Sequence, residues 1–325
     1  MTTAGALRQT LTLSTAALLG AYLGPHLFTH LAPHLEQQHT SIANLFSLTR
    51  NETSSSSPSP PSPPQPFTCT PHNYTTELIS LDPLVIYIRN FISPLESAQI
   101  IQTGSALLEP SPITGYGADT KGSQARTSWS APLPGTDAAV SCVLKRSEAF
   151  LGTLLASGRD DMGQAQMVQY TEGQKFDLHH DWFARPRILD ADAQTGRRRL
   201  YNRVATFFAV LQVEGIEEDS GETWFPKVRP GAWGKEGEGG AAQGGGGADG
   251  DGKGGGAGRG GQEWREHEDG GLAFKPVPGN AVFWVNLLPN GTGDGRTVHA
   301  GLPVKGSGVK TAMNIWPRVF FGPDA

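Results

Sequence analysis

Glycine and proline are not spread evenly along this chain; they gather in two blocks, and that decides where a folded core can lie. Nineteen of the 42 glycines fall between residues 231 and 271, and six prolines fall between Pro58 and Pro66. Glycine loses the most backbone freedom on ordering, and proline has no N–H to give a helix or a ladder. Residues 31–66, with the run NETSSSSPSPPSPPQP, therefore read as an extended Ser/Pro-rich stalk. Residues 231–271 read as a flexible Gly-rich insertion, tolerable because the entropy of loop closure grows only logarithmically with length. What remains to fold is a single domain over 67–325, interrupted by that insertion.

The N-terminus carries Arg8 and then no formal charge until Glu36. Residues 5–24 approach the roughly 20 apolar residues that a helical membrane span needs. No small-x-small cleavage site follows, so residues 1–30 are expected to be an uncleaved signal anchor; a cleaved signal or a mitochondrial presequence is the alternative. An anchor of this kind implies attachment to the endoplasmic reticulum membrane with the folded domain in the lumen. Triplets at Asn51, Asn73 and Asn290 match the N-glycosylation acceptor pattern. A net charge of −5 and a pI near 6.0 exclude the basic footprint of a nucleic-acid partner. Two cysteines, Cys69 and Cys142, exclude a disulfide scaffold and a four-cysteine zinc module, and leave open whether they pair with each other.

Two helices are expected first. Ser93-Pro94-Leu95-Glu96 is a capping box with proline at the first helical position, followed by Ile100, Ile101, Leu107 and Leu108. Asp137 caps a second helix with an apolar face of Val140, Val143, Leu144, Leu151 and Leu154. After residue 165 the pattern shortens to β-rich runs, expected as strands at about 166–171, 176–182, 203–212, 222–225, 272–276, 280–287, 296–301 and 309–318. Eight short strands separated by turn residues predict a mainly β (α+β) domain with a jelly-roll core, a double-stranded β-helix, behind N-terminal supporting helices.

The chemistry concentrates in Tyr170 to Asp181. On a strand, side chains at i and i+2 share a face, so His179 and Asp181 point together while His180 points away. An imidazole and a carboxylate on one face, completed by a histidine from a distant strand, make the facial triad of non-haem Fe(II) enzymes. The distant histidine chosen is His299. Along the last strand Lys310, Ala312, Asn314 and Trp316 alternate with Val309, Met313 and Ile315, which turns Lys310 toward the histidines. A buried ammonium needs an anion, and no acid in that strand supplies one. A bound dicarboxylate would. A zinc hydrolase is disfavoured, because Glu172 and Glu222 stand in no zinc-binding spacing.

These motifs, in order, resemble the catalytic domain of the prolyl 4-hydroxylase α-subunit family. The resemblance runs from Pro83 to Pro323, about three quarters of the chain. It is carried by Asp82 to Tyr87 with Asn90-Phe91, Arg126-Thr127-Ser128, Gln169-Tyr170 to Asp181, Asn202-Arg203 onward, Gly221 to Pro226, Pro278 to Trp284, His299, and Lys310 to Trp316. It implies an Fe(II)- and 2-oxoglutarate-dependent dioxygenase that hydroxylates peptidyl proline in a proline-containing peptide or protein, with O2 as cosubstrate and ascorbate as an additional requirement. It further implies iron ligation by His179, Asp181 and His299, and a Lys310 and Tyr170 grip on the distal carboxylate of 2-oxoglutarate. Trp316 and Phe176 would line the cavity. The family usually spaces the second histidine and the lysine by ten residues. Here the spacing is eleven, which a bulge or longer turn in Lys305 to Lys310 would absorb, with Lys305 the alternative cation. Rival readings are the same chemistry on another amino acid or a small molecule, and a non-catalytic jelly-roll binding domain.

Overall fold

The computed structural model describes residues 67–112, 125–231 and 263–325, all within the compact unit Pro64–Ala325. The expected anchor, the stalk and the glycine-richest part of the insertion lie outside the described residues. Along the chain run β1 (Thr75–Leu81), β2 (Leu84–Arg89), α1 (Pro94–Ser105), β3 (Glu109–Pro110), β4 (Trp129–Pro132) and α2 (Ala138–Leu151). Next come β5 (Gln166–Thr171), β6 (Phe176–His179), β7 (Arg187–Ile188), α3 (Asp190–Thr195), β8 (Leu200–Arg203) and β9 (Ala205–Glu214). The chain closes with β10 (Thr223–Phe225), β11 (Trp264–Glu266), β12 (Leu272–Phe274), β13 (Ala281–Val285), β14 (His299–Gly301), β15 (Val309–Ile315) and β16 (Arg318–Phe321).

A large antiparallel sheet has the order β1-β2-β13-β9-β15-β5-β4-β3, and a smaller one the order β11-β12-β10-β14-β6. At the sheet edges consecutive strands pair, but the central neighbours β13-β9, β9-β15, β15-β5 and β14-β6 are far apart in sequence, as a jelly roll requires. The large sheet is buried on both faces. Phe207, Ala209, Phe283, Met167, Met313 and Ile315 pack against Ile100 of α1 and Val140 and Val143 of α2. The opposite side chains of the same sheet, such as Val85, Tyr87, Val282 and Trp284, meet Phe225, Leu272 and Phe274 of the small sheet. Two covered faces explain why β2, β9 and β13 read as near-continuous apolar runs.

Both expected helix starts are present. Ser93 Oγ accepts from Glu96 N, and Glu96 Oε2 accepts from Ser93 N at 2.8 Å. Asp137 Oδ1 accepts from Ala139 N and Val140 N. Arg146 of α2 donates to Glu96 Oε1 at 2.6 Å, which ties the two helices together. Both helices stop earlier than the apolar pattern implied, so Leu107 and Leu154 are exposed. Cys69 and Cys142 form a disulfide that fastens the start of the domain to α2.

Several strands differ from expectation, each for a local reason. The 203–212 run begins at Leu200 and breaks between β8 and β9 at Val204, whose N–H donates to Pro317 O. Pro317, without an N–H, likewise splits the 309–318 run into β15 and β16. The 296–301 run is a strand only from His299, because Asp294 caps a short 3-10 turn by accepting from Arg296 N. The expected flexibility does not extend to the end of the insertion. Residues 263–271 are structured, β11 pairs with β12, and Glu263 accepts from Arg89.

Candidate active site

β6 and β14 are hydrogen-bonded neighbours, and their register sets His179 directly opposite His299. β6 ends at His179 rather than 182, since β14 offers only three residues to pair with. Asp181 is held instead by tertiary contacts. Thr206 Oγ1 donates to Asp181 Oδ2 at 2.8 Å, and Asn286 Nδ2 donates to Thr206 Oγ1 at 2.8 Å. His179 Nε2 then lies 3.8 Å from Asp181 Oδ1, and His299 Nε2 3.8 Å from Asp181 Oδ2. One donor atom from each of the three residues falls within 4.8 Å of the others. His180 faces away from this group and stacks on Trp182.

The ring orientations are fixed from behind. His179 Nδ1 sits 2.8 Å from Asp177 O, and His299 Nδ1 2.9 Å from Thr297 O. A carbonyl oxygen only accepts, so each neutral ring carries its hydrogen on Nδ1 and turns the Nε2 lone pair to the shared point. Burial, reinforced by the facing His299, drives His179 down to about 3, so it is neutral and ligand-ready at physiological pH. Burial favours a neutral carboxyl at Asp181, but the two histidines and Arg203 outweigh it and hold its pKa low. Two oriented imidazoles and one ionised carboxylate on one side of a cavity are a donor set that fits Fe(II) with positions left open.

Lys310 stands directly opposite Tyr170 in the β15–β5 ladder. It is 2 % exposed, and its Nζ donates to Gly221 O at 2.5 Å. The rings of Phe208 and Tyr170 flank the ammonium at 5.0 and 5.5 Å. Among the described residues no carboxylate lies within ion-pair distance of it. Burial pushes its pKa from 10.5 down to about 7, with Glu222 pulling weakly upward. Gly221 has φ +64, and a Cβ there would press on Val304 and on the Lys310 stem, so glycine is needed to admit the lysine. Lys305, the alternative, is exposed in the loop before β15. That loop absorbs the extra residue. Gly306 has φ +87, and a side chain at Gly308 would collide with Glu214 O.

Tyr170 connects the two ends. It lines the histidine cavity, a cleft of about 410 Å³, together with Phe176, Arg126, Asn314 and Trp316. Phe176 stacks on His179 with centroids 3.5 Å apart, and the Arg126 guanidinium covers its other side at 4.7 Å. Trp316 packs beneath Arg203, whose guanidinium is 3.8 Å from the ring centroid and donates to Asp181 O at 3.3 Å. Trp316 therefore belongs to the carboxylate end of the cavity, away from Lys310. The same Trp316 and Arg203 also line an adjoining open cleft of about 560 Å³ with Gln164, Gln166 and Arg318. Arg126, Arg203, Thr206 and Asn286 were not singled out as site residues. Three of them lie in quoted motifs, but sequence gives no sign that a strand residue reaches behind a distant carboxylate.

A family model described as the 2OG-Fe(II) oxygenase superfamily matches residues 165–318, the stretch that holds the histidines, Asp181 and Lys310. Over this stretch the chain is similar to the 2OG-Fe(II) oxygenases. Among curated relatives, prolyl 4-hydroxylase 13 of Arabidopsis thaliana is 28% identical over 242 residues, covering 74% of this chain and 73% of that protein. Probable prolyl 4-hydroxylase 10 of the same plant is 28% identical over 248 residues, covering 75% and 71%. A solved structure of the viral collagen prolyl hydroxylase of Paramecium Bursaria Chlorella virus-1 with 2OG is 22% identical, covering 72% and 96%, with a TM-score of 0.45. The enzyme works with Fe(II) and 2-oxoglutarate.

Proposed function

We propose that this oxygenase hydroxylates peptidyl proline, with Fe(II) held by His179, Asp181 and His299 and the distal carboxylate of 2-oxoglutarate held by Lys310 and Tyr170. The carrying observation is the pairing of two oriented imidazoles and a carboxylate with a buried ammonium that has no acid partner, bridged by Tyr170. Proline as the target rests on the prolyl 4-hydroxylases among its relatives. The open cleft leading from Trp316 suits an extended polypeptide.

With both partners bound, Fe(II) and 2-oxoglutarate supply the oxidation, one atom of O2 ending in the substrate hydroxyl and the other in succinate, with loss of CO2. The chain's residues supply placement. Thr206 and Asn286 hold the Asp181 carboxylate, Asp177 and Thr297 carbonyls hold the two rings, and Phe176 and Tyr170 keep water from the cosubstrate. Trp316 and Arg203 stand at the opening, where a bound peptide would enter.

The test is mass spectrometry of proline-containing peptides incubated with enzyme, Fe(II), 2-oxoglutarate and ascorbate. A +16 product on proline, matched by succinate and lost in His179→Ala, is expected. Succinate released with a substrate that is not a peptide, and no modified proline in any peptide, would transfer the assignment to a small-molecule oxygenase.

The location we propose is the lumen of the endoplasmic reticulum, with residues 1–30 as the membrane anchor and 31–66 as a stalk. Support comes from the Cys69–Cys142 disulfide, which suits an oxidising compartment, and from the exposed triplets at Asn73 and Asn290. Among the described residues no helix is long and apolar enough to cross a membrane, and the anchor segment lies outside them. Carbonate extraction of the full chain from microsomes is the check; release with the soluble fraction would remove the anchor.

A further inference from the structure

The segment 214–222 carries five carboxylates, Glu214, Glu217, Glu218, Asp219 and Glu222, and it runs past the buried Lys310 ammonium. A cation meant for a ligand carboxylate thus sits beside a dense internal supply of competing anions. Several of them are engaged by other cations. Lys275 takes Asp219 at 2.8 Å and Glu218 at 3.6 Å. Glu222 is the wholly buried one, and its backbone is one peptide bond from the carbonyl that Lys310 contacts. Gly221 N bonds to Pro303 O and Leu302 N to Glu222 O, so this stretch cannot drift away from the lysine.

Arg265 claims Glu222 completely. Its Nε donates to Glu222 Oε1 at 2.9 Å and its Nη2 to Glu222 Oε2 at 2.6 Å, a bidentate fork that uses both oxygens. Register makes this reach possible. Arg265 on β11 lies opposite Ala273 on β12, which lies opposite Trp224 on β10, two residues along from Glu222. The small Ala273 side chain on β12, between β11 and β10, leaves the guanidinium room to cross.

We infer that Arg265 is a positioning residue for cosubstrate binding: by occupying both oxygens of Glu222 it keeps Lys310 from being neutralised inside the protein and leaves that cation for the carboxylate of 2-oxoglutarate. A buried carboxylate stripped of its partner is strongly unfavourable. Deprived of Arg265, Glu222 turns to the nearest buried cation, and the resulting Lys310–Glu222 pair must be broken before an external anion binds. The inference rests on the assignment of Lys310 made above.

The test is calorimetric titration of 2-oxoglutarate into the enzyme loaded with Mn(II), which reads binding rather than turnover. Arg265→Met is expected to weaken 2-oxoglutarate by about tenfold or more while Mn(II) affinity is unchanged. Adding Glu222→Gln to it restores affinity to within about threefold of wild type. A merely structural arginine would give no such rescue. Wild-type affinity in Arg265→Met, or a double variant as weak as the single, overturns the inference. If Arg265→Met does not fold, Arg265→Lys, which keeps the charge but loses the fork, is compared with and without Glu222→Gln on the same two criteria. Lys310→Met separates the two claims. Undiminished binding there removes the lysine assignment, whereas a loss there with no effect at Arg265 removes only the role of the arginine.

Discussion

Replacing Lys310 with methionine should make the ligand-free enzyme more stable and its cosubstrate binding worse. Burial lowers the lysine pKa from 10.5 to about 7. The unfolded chain therefore binds more protons than the native one between those two values, and wild-type stability rises with pH across that window. Below pH 7 the folded protein bears the whole penalty, and 3.5 pKa units correspond to about 5 kcal/mol as an upper figure. Methionine has nearly the same length and no charge. It should raise the Tm of the ligand-free enzyme at pH 6.5 by roughly 10 °C, and the gain should vanish toward pH 10.5. Binding moves the other way. Removing one member of a buried charge pair costs about 3–5 kcal/mol, so 2-oxoglutarate should bind the variant at least about a hundredfold more weakly. Wild type should also take up a proton when it binds 2-oxoglutarate at pH 8, seen as a binding enthalpy that depends on the buffer. Parallel Tm-against-pH curves for the two proteins, or equal affinities, would refute the reasoning.

Three further outcomes are expected. Thr206→Val leaves Asp181 Oδ2 without its 2.8 Å donor and should weaken Mn(II) binding by about tenfold, with the fold intact by circular dichroism. Cys69→Ser with Cys142→Ser opens a closure of 73 residues, which the chain-entropy model values at about 4 kcal/mol, measurable as a fall in urea midpoint with turnover at low temperature preserved. Gly221→Ala forces a side chain into a left-handed backbone site against the Lys310 stem. It should raise the KM for 2-oxoglutarate more than it lowers kcat, read from succinate release at saturating peptide.

Much of the site was legible because its key residues obey strand periodicity. The i and i+2 rule paired His179 with Asp181, although Asp181 lies past the end of β6 and is held by Thr206, and the alternation along Val309 to Trp316 turned Lys310 and Asn314 inward while Met313 and Ile315 met the helices. Both helix starts were legible because capping is a contact between residues three apart. The helix ends were not. Leu107 and Leu154 keep the apolar period beyond Ser105 and Leu151, but both stay exposed. The split of two long runs at Val204 and Pro317 depends on a bond between them across more than a hundred residues of sequence.

The sequence alone determined what is local and periodic: the low-complexity blocks that cannot form a core, the helix caps, the alternation of the strands and the identity of the three donor residues. Only the tertiary structure decided which strands became neighbours. That pairing set His179 opposite His299 and Lys310 opposite Tyr170, brought Thr206 and Asn286 behind Asp181, and drew Arg265 across Ala273 to Glu222. The physical reason is that hydrogen-bonded register, the closing of a disulfide and the depth to which a charge is buried all depend on residues far apart in the chain, which no local pattern encodes.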